Sequence, residues 1–392
     1  MKLLYITSRV PWPLEKGDKL RAYHQLRLLA EQHEIYLAAL HDQPLHPQAD
    51  KELRRFCKEI LYLPLPKRAV AFNLLRGTFS GLPFQVAYFY SKSAQEKLDR
   101  FIAQHRPERI FCQLIRTSEY ARGHEDIPKV IDYMDVFSKG VERRLGKVSP
   151  LLRPVFRTEY KRLVRYEHDV FSRFDERIII SGQDRDLIPH PERGKIHVVA
   201  NGVDTDFFHP RETKKTYELL FNGNMNYPPN VESAEYLVQK ILPLVHEKKP
   251  GVRVLISGAS PAPRVLALRS EKVTVSGWVE DVRDSFAQSR LLVAPMQSSI
   301  GLQNKLLEAM AMQLPCITTS LSNNALKAEA GRQVLVADTP EAFAQHILHL
   351  LDHPEEAERI AHEGYRFALE NFNWNTIAQE LGKIIVHAGE KK

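Results

Sequence analysis

Lys305 and Glu308 stand one helical turn apart in a largely apolar stretch, Ile300–Thr319 (IGLQNKLLEAMAMQLPCITT). Gly301 offers a flexible turn after a strand-like run, and a helix starts near Gln303 or Asn304. Leu306, Leu307, Met310 and Ala311 form its apolar face, and Pro315 follows its end. The free N–H groups of a helix N-terminus make an anion site. A lysine in the first turn opposes the helix dipole, which makes sense if Lys305 neutralises a phosphate. The competing reading is a solvated i, i+3 ion pair, and spacing alone leaves both open.

Two further polar sets stand out. In IDYMDVFS, Asp132, Asp135 and Ser138 follow a strand, where they could meet a substrate or serve as a cap and a turn. Farther on, Arg153, Arg157, Lys161 and Arg165 recur every four residues, one stripe on a helix with Pro154 near its start. Val155, Phe156, Leu163, Tyr166 and Val170 lie elsewhere around that helix and are expected to pack inward. The stripe reads as a solvated basic face or as a surface for anionic lipid headgroups or a lipid diphosphate acceptor. His346, His349 and His353 share a helical spacing without a metal-ligand pattern, so no metal site is expected.

These residues need a scaffold. The chain has 392 residues, enough for two cores. Its 43% hydrophobic and 26% charged residues suit a globular protein. Strand-like runs at Lys2–Thr7, Ile35–Leu40, Arg109–Cys112, Val130–Tyr133 and Arg177–Ser181 alternate with helical segments such as Leu20–Gln32. The pattern restarts after the turn-rich Ala200–Pro210. Strands follow at Tyr217–Asn222, Val252–Ser257, Val273–Ser276 and Leu291–Ala294, with a helix over Val231–Leu244 between them. The expected architecture is α/β, two doubly wound Rossmann-like domains over 1–200 and 201–369, with a C-terminal helix within 370–392 packing back on the first. A ligand is expected in a cleft between them.

Cys57, Cys112 and Cys316 are far apart and form no CxxC pair, which argues against a disulfide framework or a zinc site. The apolar start ends at Arg9 and two prolines, a first strand more than a signal peptide. No stretch is apolar enough to span a bilayer. A cytoplasmic protein is expected, with peripheral membrane attachment through the stripe. The net charge of +7 suits anionic partners, but no nucleic-acid motif accompanies it, so nucleic acid is not an expected partner.

The segment GLQNKLLEAMAMQLPCITTS resembles the donor-site motif of glycosyltransferase family 4, which has the GT-B fold. The QNK-LLEAMAM variant is most similar to sugar transferases of exosortase-associated exopolysaccharide systems. The resemblance implies that Glu308 binds the donor ribose and that Gly301, Leu302 and Gln303 lie at the diphosphate or sugar. It places Gly17 in a first glycine loop near the phosphates, Asn224 (in FNGNMNYPP) in the phosphate turn of the second domain, and Trp278 or Val279 (in SGWVED) against the base, although Trp278 could equally be core. The NGVD segment after Ala200 looks architectural. Three departures accompany the resemblance. Ile300 stands where the family's first acid belongs, Asn224 and Pro228–Asn230 replace its usual arginine and lysine, and Met134 replaces a histidine before Asp135. Lys305 is therefore the candidate for meeting the phosphate charge, and Asp132 and Asp135 for work near the reacting sugar.

What the resemblance implies is a retaining transfer of a sugar from a nucleotide-diphosphate sugar to a glycan or polyprenyl-linked acceptor, without metal or cofactor, in exopolysaccharide or cell-surface polysaccharide synthesis. The absence of a DxD dyad agrees with the metal-free expectation. Two rival readings remain at this point: a nucleotide-sugar 2-epimerase, and a non-catalytic nucleotide-sugar-binding subunit.

Overall fold

The computed structural model describes residues 1–146, 148–298 and 301–390, with the side chains of Ala69, Arg76 and Phe79 excepted. Ile300, one of the departures noted above, and Lys147 lie outside the described residues. The chain divides into two compact units, Met1–Ala200 with Asn375–Lys392, and Asn201–Trp374.

The first unit is built on strands β1 (Lys2–Thr7), β2 (Glu34–His41), β3 (Glu59–Pro64), β4 (Arg109–Gln113), β5 (Lys129–Asp132), β6 (Glu176–Ile179) and β7 (His197–Val198). They pair in parallel in the order β3-β2-β1-β4-β5-β6-β7. Leu3, Leu4, Tyr5 and Ile6 are all fully buried, as expected of a parallel strand covered on both faces. The helix Gly17–Leu29 connects β1 to β2 and buries Ala22, Leu26 and Leu29 against the sheet, together with the polar Arg21 and Gln25.

The second unit carries β8 (Tyr217–Asn222), β9 (Val254–Ser257), β10 (Val273–Gly277), β11 (Ser289–Ala294), β12 (Cys316–Thr318) and β13 (Leu335–Val336), parallel in the order β10-β9-β8-β11-β12-β13. The helix expected over Val231–Leu244 is a longer helical run in three pieces: Pro228–Tyr236, a π turn at Leu237–Ile241, and Leu242–His246. Pro243 cannot donate to the carbonyl of Gln239, and the wider turn sits where that bond is lost. Among the described residues no helix is long and apolar enough to cross a membrane.

The basic helix spans Arg153–Arg173 with Pro154 in its first turn. Leu163, Tyr166 and Val170 are buried as expected. Of the pair Val155 and Phe156, Phe156 packs against the core of this unit while Val155 is 50% exposed, beside Leu151 at 90%.

Candidate functional site

The second unit assembles its polar groups at the carboxyl ends of β8, β9 and β11. After β8, Gly223 takes a positive φ of 150°, and a Cβ there would lie 2.7 Å from Asn230 Nδ2. Gly258, after β9, is closer still: its Cβ would fall 1.8 Å from the Gly223 carbonyl oxygen. The two strand ends touch backbone to backbone, which only glycine permits. Asn224 closes the turn by accepting from Asn226 N through Oδ1 at 3.0 Å, and Asn230 Nδ2 donates to the Asn224 carbonyl at 2.9 Å.

Lys305 reaches this turn from the helix Asn304–Ala311. Its Nζ donates to Asn230 Oδ1 at 2.7 Å and stands 4.5 Å from the Phe221 ring centroid. The side chain is buried, and burial lowers its pKa from 10.5 to about 7, with Glu308 opposing the shift. Glu308 is half-buried, and burial raises it to about 7, with Lys305 opposing. The two make no ion pair among the described residues, so the solvated i, i+3 pair considered from the sequence is not what forms. Instead a desolvated cation whose only acceptors among the described residues are neutral, Asn230 Oδ1 and the Met296 sulfur at 3.6 Å, lies at a helix N-terminus, and both features favour an incoming anion.

Gly301 has φ 99°, and Gln303 Nε2 donates back to its carbonyl at 3.2 Å. Leu302 and Gln303 are half-buried. Asn304, the first helical residue, accepts from Asn201 Nδ2 at 3.2 Å, which ties the NGVD segment to this helix. Gly202 in the same segment packs on Trp374: a Cβ there would lie 2.7 Å from the indole. Trp278 is 73% exposed after a left-handed Gly277, so the core alternative for it is overturned, and Val279 is half-buried. Asp281 caps the next helix and is held at about 2 by Arg283.

In the first unit, Asp132 and Ser138 do not stand open to substrate. Asp132 is 0% exposed, and its carboxylate accepts from Arg21 Nε at 2.6 Å and from Met134 N at 3.0 Å. Arg21 also donates to the carbonyls of Val199 and Ala200, so this buried pair ties the first helix to the end of β5 and to the segment leaving the unit. Ser138 is buried against Glu167, which accepts from its hydroxyl and its N–H. Burial raises Glu167 to about 7. Asp135 alone of this set is exposed, with its Oδ1 accepting from Val136 N at 2.7 Å. Met134, before it, has φ 57°. Gly17 begins its helix with no atom within 4 Å of a Cβ position, so no neighbour requires glycine there. Arg153, Arg157, Lys161 and Arg165 are all exposed on their helix, without ion pairs among the described residues.

Sequence reasoning missed Asn230 as the partner of Lys305, Gly258, and Arg21 as the partner of Asp132. Gly258 carried a signal, a glycine directly after a strand. The two long-range partners carried none.

Two parallel-sheet units of this kind define the GT-B class, and solved structures bear this out. Sucrose-phosphate synthase from Thermosynechococcus elongatus aligns over 100% of both chains with a TM-score of 0.72 at 15% identity. HepE from Anabaena, solved with UDP-glucose, aligns over 98% of this chain and 99% of its own with a TM-score of 0.69 at 13% identity. Residues 216–353, within the second unit, match the family described as Glycosyl transferases group 1. A 44.6 kDa protein in the cps region of Klebsiella pneumoniae is 20% identical over 97% of this chain and 99% of its own.

Proposed function

We propose that this chain is a retaining glycosyltransferase that moves a sugar from a nucleotide-diphosphate sugar to a glycan or polyprenyl-linked acceptor in cell-surface polysaccharide synthesis. The observation that carries the reading is Lys305, buried without an ion pair among the described residues and hydrogen-bonded to Asn230 at the glycine turn after β8. The family match over 216–353 supports the chemistry, HepE with UDP-glucose supports the donor class, and the cps-region relative supports the pathway.

As the glycosyl bond breaks, negative charge grows on the β-phosphate. Lys305, the N-terminus of its helix and the N–H groups of the two glycine turns would stabilise it as fixed dipoles and charge. Glu308, which makes no ion pair among the described residues, would receive the ribose hydroxyls. Trp278, Val279, Leu302 and Gln303 would border the base and sugar, with Gly17 leaving room for phosphate oxygens. The sequence offers no convincing nucleophile, so departure and attack on one face of the sugar are favoured, with the leaving phosphate taking the acceptor proton. Asp135 stays a candidate near the reacting sugar, while Asp132 acts through Arg21 as a positioning group. Calorimetry with nucleoside diphosphates tests the donor site directly. Glu308→Gln is expected to weaken nucleotide-sugar use roughly tenfold or more, and Lys305→Ala to lower turnover more than affinity. Activity surviving EDTA is expected of charge stabilisation by Lys305. No binding of any nucleoside diphosphate by the folded protein would overturn the reading.

A further inference from the structure

The sheet of the first unit reverses its winding between β1 and β4: one arm runs out through β2 and β3, the other through β5, β6 and β7. Open parallel sheets take ligands outside the carboxyl ends of their strands at such a switch point. Arginines stand there. Arg9 follows β1 and is paired with Asp18. Arg116 follows β4, in the turn Ile115–Ala121, and makes no ion pair among the described residues. Its guanidinium carbon lies 5.1 Å from the Phe89 ring centroid and 4.6 Å from that of Phe137. One Nη donates to Gln85 Oε1 at 2.9 Å, and the buried Nε has no partner. Thr7 Oγ1 and Ser8 Oγ, buried at the end of β1, are also unpartnered.

A guanidinium carries five donors, and leaving it walled by aromatic rings with one neutral acceptor is costly. Burial lowers the Arg116 pKa to about 10. Arg9 and Arg144 add to the shift, and Asp18 and Asp135 oppose it. The surroundings lean positive: Arg143 and Arg144, on the following helix Phe137–Leu145, are exposed and make no ion pair among the described residues, and Arg9 is already matched by Asp18. Asp135 is exposed and makes no ion pair among the described residues; Glu167 and Asp184, also outside ion pairs there, are buried and pushed up to about 7 and about 6.

We propose that this switch point is an oxyanion site in which Arg116 receives a phosphate or carboxylate group of the acceptor substrate. The word acceptor rests on the glycosyltransferase reading; the site itself rests on the geometry of the first unit. A planar oxyanion reaching Nε and the adjacent Nη would supply the bidentate partner the guanidinium lacks.

The test is thermal unfolding and calorimetry of the full chain saturated with UDP, titrated with inorganic pyrophosphate, glucuronate or glucose. Pyrophosphate or glucuronate is expected to stabilise beyond UDP alone and glucose is not, and the better of the two anions tells a phosphate-bearing acceptor from a uronate. In Arg116→Gln the anion affinity is expected to drop roughly tenfold or more while UDP affinity stays within about twofold. Arg116→Lys should keep part of it, because the charge remains without the fork. Arg144→Gln, at an exposed position that leaves packing intact, should lose roughly two- to fivefold. The proposal is overturned if neither anion adds to UDP, if UDP competes the anion away, or if Arg116→Gln binds the anion unchanged. A chain that ignores UDP condemns the donor reading instead, and the anion titrations of wild type and Arg116→Gln without nucleotide still decide this site.

Discussion

If a nucleoside diphosphate binds at Lys305 as proposed, its binding is coupled to proton uptake. In the ligand-free protein Lys305 loses its proton near pH 7 instead of near 10.5, so between those values the unfolded chain holds a proton that the folded one lacks. Stability therefore rises with pH across that window through Lys305. Glu308, raised from 4.5 to about 7, does the opposite between 4.5 and 7: the folded state holds the extra proton, and stability falls as pH rises. The two together give the ligand-free protein a stability minimum near neutrality. A diphosphate that restores the lysine charge must draw in about one proton at pH near 8.5, and its affinity should fall by up to about tenfold per unit above pH 7. Calorimetry in buffers of different ionisation enthalpy reads this directly; a binding heat independent of buffer would remove Lys305 from the phosphate site. This residue was legible in the sequence because a cation in a first helical turn is out of place. Arg116 was not, since the rings that desolvate it, Phe89 and Phe137, come from separate segments.

The Arg153–Arg173 helix carries two kinds of basic residue. Arg162 donates to the carbonyls of Gly77, Thr78 and Leu82 and is part of the architecture. Arg153, Arg157, Lys161 and Arg165 are exposed, next to the exposed Leu151, Leu152 and Val155. Basic residues flanking an apolar tip suit an anionic bilayer surface, each charge adding about 1 kcal/mol at low salt. The triple variant Arg153→Glu, Arg157→Glu, Lys161→Glu should stop floating with anionic vesicles while remaining folded; equal flotation of both proteins, or of neither, would leave the stripe a solvated face. Glu159 on the same helix must be spared. Its carboxylate accepts from Phe84 N at 2.6 Å and Gln85 N at 3.1 Å, capping the helix Phe84–Phe89. Glu159→Ala should cost about 1–2 kcal/mol in denaturant unfolding, and no loss would show that solvent caps that helix equally well. The four-residue repeat could be read from the sequence. The cap could not, because in the sequence Glu159 is only one acid among many bases and the N–H groups it serves lie 75 and 74 positions away.

At the scale of the whole chain, the alternation of strands and helices was readable because parallel strands are apolar throughout, as in β1 and β8. Strand β3 (EILYLP) was not, since its burial is partial. The last helix, Trp374–His387, belongs almost wholly to the first unit: Leu381, Ile385 and Ala388 are fully buried, and a Cβ on Gly389 would lie 2.6 Å from the Pro128 ring. A chain ending at Trp374 should therefore lose first-unit stability, seen by calorimetry as a lowered or missing transition. An unchanged thermogram would mean that the segment is dispensable.

The meeting of Gly223 and Gly258 bears on how substitution data for this protein are to be read. Because the Gly223 carbonyl leaves no room for a methyl group on Gly258, a scan of every position will score Gly258 as intolerant as any residue that holds substrate, although its own role is to let a neighbouring turn close. No second substitution at Gly223 can rescue it, since the atom in the way is a main-chain oxygen that every amino acid carries. Intolerance at Gly258 will therefore map a steric debt of the backbone, and only variants that move β9 relative to β8 can relieve it.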